Sequence, residues 1–93
     1  MPAYIIVMRE EPVQDAEAMK QYQTMTRELD IPIKLIPRVV YGKTQALEGD
    51  EPDGIVMMEF ANFEEAEQWY ESGDYQKAPP YRLKAAKHRA FIV

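Results

Sequence analysis

Residues 54–75, GIVMMEFANFEEAEQWYESGDY, pass from one periodicity to another within a few positions. Ile55, Val56, Met57, Met58 and Phe60 form a short apolar run that only Glu59 interrupts, which suits a central strand. Asn62 then offers an N-cap, Glu65 completes a capping box three residues later, and Gly73 supplies a stop. This strand running directly into a helix ends in a cluster of Trp69, Tyr70, Ser72 and Tyr75.

Working outward from it, Ala3–Met8 reads as a first strand with apolar side chains on both parities: Ile5 and Val7 one way, Tyr4, Ile6 and Met8 the other. Asp15 to Leu29 has helical spacing, with Asp15 as N-cap, Ala18, Tyr22, Met25 and Leu29 on one arc, and Asp30 and Pro32 as terminators. Ile33–Tyr41 is strand-like, but Pro37 lacks a backbone donor and predicts an edge strand or a bulge. Thr44–Leu47 is expected to extend that strand, and the polar turn from Glu48 to Gly54 to lead into the next as a hairpin. Pro79 and Pro80 fit the first turn of a short helix over Tyr81–Lys87, and His88–Val93 closes the chain as a strand.

The order is β-α-β-β-α-(short α)-β in a single domain spanning 1–93. Right-handed crossovers then give an α+β, ferredoxin-like βαββαβ fold: a four-stranded antiparallel sheet with both main helices on one face. The helices cover one face, yet three strands are apolar on both. Leaving Tyr4, Ile6, Met8, Met57 and Ile92 wet would cost roughly 1.5–3 kcal/mol each, comparable with the whole stability of a small domain. A symmetric partner sheet packed face to face is therefore expected, making the chain a homodimer through its open sheet face.

Composition narrows the function. With 93 residues, 46% hydrophobic and 11% aromatic, the chain is globular. A net charge of −5 disfavours a nucleic-acid partner, which calls for a basic face. The absence of cysteine removes disulfides, thiolate metal sites and a cysteine nucleophile. MPAYIIVMREE has no basic n-region, long apolar core or cleavage site, and no stretch approaches the ~20 apolar residues of a membrane span. A soluble cytoplasmic protein with no membrane partner is expected.

No P-loop, dinucleotide fingerprint, zinc-protease motif or nucleophile elbow is present, and one histidine among scattered carboxylates has no metal-ligand spacing. His88 fits a structural role in the last strand better than a general base. Phe63, Ala66 and Tyr70 share a helical face with Trp69 at its margin, a core stripe in the plain reading. Trp69, Tyr70, Ser72, Tyr75 and Tyr81 nevertheless bring many polar tips close together, and aromatic walls with a few hydroxyl donors hold small organic ligands. Arg82 can clamp a carboxylate or pair with a surface acid. Arg38, set among Ile36, Val39 and Val40, calls for a partner, and Tyr41 and Tyr22 are further candidates. Glu48 reads either as a solvated turn residue or as a carboxylate at the sheet's rim acting as an acid–base group.

MPAYIIV, Tyr22, YGKTQALEGD at 41–50, the EF strand end, the Ala66–Trp69–Tyr70–Ser72–Tyr75 pattern, Arg82, Ala86 and Arg89 together resemble the family of domain-of-unknown-function proteins numbered 1330. Gly73 stands where that family usually has proline, and Lys87-His88 where it commonly has an acid. The resemblance implies the dimeric α+β-barrel form of the ferredoxin-like fold, with a pocket between sheet and helices. It implies no activity, since that superfamily spans cofactor-free monooxygenases, isomerases, haem-degrading enzymes and structural members.

The combined expectation is a homodimeric small-molecule-binding protein without cofactor, and in its sharper form an acid–base enzyme acting on a small carboxylate or oxygenated metabolite. Trp69 and Tyr70 would form its wall, with Tyr22 beside them. Ser72 and Tyr75 would donate hydrogen bonds, Arg38 or Arg82 would hold the anion, and Glu48 and Tyr75 would be the catalytic candidates. The alternative is a non-catalytic dimerisation or sensing module whose aromatic cluster is structural. A haem enzyme is disfavoured because His88 is the sole imidazole.

Overall fold

The computed structural model describes residues 1–93. Its elements run β1 (Ala3–Arg9), α1 (Ala16–Arg27), β2 (Leu35–Val40), β3 (Gly54–Phe60), α2 (Phe63–Glu71), α3 (Gly73–Gln76), α4 (Pro79–Ala85) and β4 (His88–Ile92). The four strands form one antiparallel sheet in the order β2-β3-β1-β4. This is the ferredoxin-like arrangement expected from the sequence.

The expected N-caps hold at both long helices, while the Glu65 side chain makes no return bond to the Asn62 N–H. Asp15 accepts from the Ala18 N–H at 3.0 Å and Asn62 from the Glu65 N–H at 2.8 Å, satisfying donors that each first turn leaves free. Several local expectations need correction. Helix α2 ends where expected, with Ser72 as its C-cap, but Gly73 is not the stop: it opens the one-turn α3, whose N-cap is also Ser72. Residues 44–47 do not prolong β2; they belong to an irregular connection to β3. The buried side of α2 centres on Ala66 and Trp69, whereas Phe63 is 49% exposed. The expected irregularity at Pro37 is present as a register shift between Pro37 and Val39.

Register assigns every strand residue to a face. Ala3, Ile5 and Val7 stand opposite Phe60, Met58 and Val56, and with Ala66, Trp69 and Tyr75 they form the main core. Tyr4, Ile6, Met8, Ile55, Met57 and Phe91 occupy the other face, which no helix covers; Ile92, expected there, pairs with Ile5 and packs on the core side instead. The Cα envelope of 33 × 31 × 17 Å is accordingly a thin slab, one sheet and one helical layer thick. The helices do not share that layer evenly. Helix α2 sits on β1, while α1 packs chiefly against α4, pinned where the Gln14 and Asp15 N–H groups donate to the Ala85 carbonyl at 2.7 and 3.3 Å. The half of the sheet formed by β2 and β3 therefore lies under a helix held away from it.

The end of β2 is a second fixed point. Tyr41 has φ +59°, a left-handed conformation costly for a bulky residue, and its N–H donates to the Ile55 carbonyl at 2.8 Å. The Arg9 guanidinium lies 4.9 Å from the centre of its ring and is held by Asp53 at 2.7 Å. Only glycine fits beneath that ring, since a Cβ at residue 54 would stand 2.7 Å from Tyr41 Cδ1. Gly54→Ala is expected to cost about 1–3 kcal/mol through overpacking. Thermal unfolding would show a Tm fall of several degrees. The fall should shrink in a Tyr41→Ala background, and an equal loss in both backgrounds would rule out the ring as its cause.

Candidate functional site

The gap between α1 and the sheet is a cavity of about 450 Å³. Its floor is Val7 of β1, Leu35 and Val40 of β2, and Val56 and Met58 of β3. Helix α1 supplies Tyr22, Gln23, Thr26 and Arg27, and Trp69, Tyr41 and Arg82 close the remaining sides. The volume falls within the range of small-molecule sites, as does the mixture of an apolar floor with a few polar groups.

Arg82 is the most unusual of these residues. It is 4% exposed, the only charged residue in the buried interior. Its Nε has no hydrogen-bond partner, and no carboxylate lies within ion-pair distance of its guanidinium. The contact it does make is with Tyr22, whose ring centre lies 5.6 Å from Arg82 Cζ. A cation–π contact of roughly 1–2 kcal/mol offsets only part of the several kcal/mol that burying a charge costs.

Tyr22 is bound in turn to Tyr75, their hydroxyls 3.0 Å apart. Tyr75 is 1% exposed and reaches the cavity only through Tyr22. Burial pushes the Tyr22 phenol well above its ordinary range, Tyr75 pushes it further, and the nearby Arg82 opposes the rise. The Tyr22 phenol is therefore neutral at any physiological pH. Behind it stands an aromatic stack: the Trp69 and Tyr75 rings lie 4.4 Å apart, Tyr70 and Tyr75 5.3 Å, and Phe60 and Trp69 5.7 Å.

The residues singled out in the sequence separate into groups. Tyr22, Tyr41, Trp69 and Arg82 line the cavity, and Tyr75 touches it through Tyr22. Tyr70 packs on Tyr75 and faces a second, smaller recess of about 240 Å³ beside β4. Ser72 is spent on the backbone: its hydroxyl donates to the Trp69 carbonyl at 2.9 Å and accepts from the Tyr75 N–H at 3.2 Å. Arg38 is displaced by the bulge and pairs with Glu59 at 3.2 Å, on the sheet face away from the cavity. Glu48 stands exposed on the β2–β3 connection and takes no part in the cavity wall. The single shared site expected for all these residues thus contracts to the group around Arg82.

His88 also lies outside the wall. Its Nδ1 lies 2.8 Å from the Ala86 carbonyl, so that nitrogen carries the proton. Burial, with Arg82 and Arg9 adding to it, lowers its pKa against the opposing pull of that hydrogen bond. Gln23, Thr26 and Arg27 were not foreseen as lining residues. The only signal for them is that they follow Tyr22 along α1, within the turn facing the gap.

No group of His, Cys, Asp and Glu side chains is arranged to hold a metal ion, and no helix is long and apolar enough to cross a membrane.

Two solved structures share the fold over nearly the whole chain. One is an ethyl tert-butyl ether d (EthD) family protein of Bacillus halodurans C-125, with TM-score 0.65 and 17% identity, covering 100% of this chain and 97% of that one. The other is a dimeric protein of unknown function and ferredoxin-like fold from Bacteroides fragilis NCTC 9343, with TM-score 0.63 and 13% identity, covering 99% and 94%. Identities this low carry the fold and not the activity. A comparison with curated proteins finds no match. Residues 2–93 match the family described as Domain of unknown function (DUF1330), and the chain belongs to that family.

Proposed function

We propose that this protein is a homodimer that binds a small organic molecule in the cavity between α1 and the β2–β3 half of the sheet. The observation that carries the reading is Arg82: a buried guanidinium without a counter-ion, on the wall of a cavity open to ligands. A buried cation is normally paired, and an unpaired one is a cost that function explains better than stability does. Trp69 and the strand side chains form the apolar wall. Tyr75 acts as a positioning residue that fixes the Tyr22 hydroxyl. An acid–base role for Glu48 would require the β2–β3 connection to fold over the cavity mouth.

One observation favours the alternative, a non-catalytic module with a structural aromatic cluster. The Ser72 hydroxyl and the Tyr75 ring are both committed to internal packing and capping. The two readings differ in what Arg82 does for stability. If the site binds a ligand, Arg82→Met removes an uncompensated charge and raises the Tm of the free protein by several degrees, about 0.5–2 kcal/mol. The same substitution would abolish the thermal shift that a metabolite screen produces with the wild type. A fall of several degrees, with no compound shifting the wild type, establishes the structural reading instead.

The dimer is supported by the uncovered apolar face and by the dimeric Bacteroides fragilis neighbour. Light scattering should give a mass near twice 10.8 kDa at micromolar concentration. Met57→Asp, at the centre of that face, should give a monomer. A wild-type monomer under those conditions sinks this part of the proposal.

A further inference from the structure

We infer that the cavity takes a compact carboxylate bearing one negative charge and an apolar body, its carboxylate seated on Arg82 and Tyr22. This rests on the binding reading above and specifies the ligand.

The cavity wall is selective in charge. The chain carries sixteen acidic residues, yet none of the twelve residues lining the cavity is Asp or Glu, and two are arginines. On a protein of net charge −5, that is a local reversal of sign. The wall is also selective in hydrogen bonding, and the tyrosine pair explains how. Two hydroxyls 3.0 Å apart share one hydrogen between them, which leaves the other free to donate elsewhere. If Tyr22 donated to Tyr75, the leftover hydrogen would belong to Tyr75, which is 1% exposed and whose hydroxyl has no second partner. If Tyr75 donates to Tyr22, the free hydrogen belongs to Tyr22, on the cavity wall. The second arrangement leaves no buried donor stranded once the cavity holds an acceptor. The Arg82 guanidinium on the same wall also lacks an acceptor: its Nε is sealed in without a partner, and no carboxylate pairs with the fork. Two donors on one wall both lack acceptors, and a carboxylate supplies acceptors in the planar geometry that a guanidinium fork fits.

The number of charges follows from the same groups. Arg82 is the only buried cation on the wall and the Tyr22 phenol stays neutral, so a single guanidinium balances a single negative charge. A phosphomonoester would leave its second charge against Val7, Val56 and Met58. Arg27 is exposed, five residues beyond Tyr22 and so about 7.5 Å along the helix, where its charge is solvated.

Titration calorimetry on the wild-type protein with benzoate, hexanoate, benzyl alcohol, phenyl phosphate and adipate tests this without relying on any variant folding. Benzoate or hexanoate is expected to bind roughly tenfold or more tightly than the neutral, doubly charged or dicarboxylate probes. Tyr22→Phe should weaken that binding severalfold, and Arg82→Gln should remove the preference for the anion over the alcohol. Benzyl alcohol binding as well as benzoate overturns the carboxylate assignment while leaving a binding site in place. Phenyl phosphate or adipate binding most tightly overturns the single charge. If none of the five binds, the carboxylate assignment falls. Whether the binding reading falls with it is then decided by the wider metabolite screen.

Discussion

Helix α1 leans on α4 more than on the sheet, and most of what is distinctive here depends on that offset. The backbone bonds from residues 14 and 15 to Ala85 set the lean at one end of the helix. The Tyr22–Tyr75 hydroxyl contact fixes its middle to the aromatic stack behind it. Ser72 is needed for this although it faces no ligand. By capping α3 it turns the Tyr75 ring inward, onto Trp69 and toward Tyr22. A helix seated squarely on β2 and β3 would bury Val40, Val56 and Met58 against its own side chains and leave no space. Holding it off sacrifices that burial and creates the cavity.

Arg82 makes sense only within this geometry. On a solvated helix it would be one more surface cation. Here Pro79 and Pro80 start α4 so that Arg82 falls one turn in, on the side facing Tyr22. The low exposure that makes the charge costly also strengthens its pull on an anion, because the surroundings screen it poorly. The same interior keeps the Tyr22 phenol neutral, so the cavity combines one fixed charge with a neutral donor.

The fold was largely legible in the sequence because its signals are local and concordant. Asn62 with Glu65, Asp15, the paired prolines and the two apolar parities of β1 each point to the same architecture. The candidate site was legible only in part, and the failures have physical reasons. Arg38 sits at the bulge that Pro37 predicts, but the direction a bulged residue faces depends on the register around it. Ser72 has a hydroxyl that either a ligand or a backbone could claim, and the chain's return at α3 decides between them. Glu48 lies in a long connection whose path no periodicity constrains. The cavity itself arises from a helix's distance from a sheet, a quantity that amphipathic patterning does not encode.

The edges of the sheet constrain how copies of the chain can meet. Both outer strands, β2 and β4, present backbone groups that could template further strands. Strand β2 carries Pro37, which has no N–H to offer, and the register shift beside it breaks the straight run of donors and acceptors. Strand β4 is five residues long and bears His88 and Arg89. Such edges resist the strand-by-strand growth that leads to fibres. With lateral extension discouraged at both ends, the apolar flat side is the surface on which two copies would meet, and a contact of that kind closes on itself in place of growing without end.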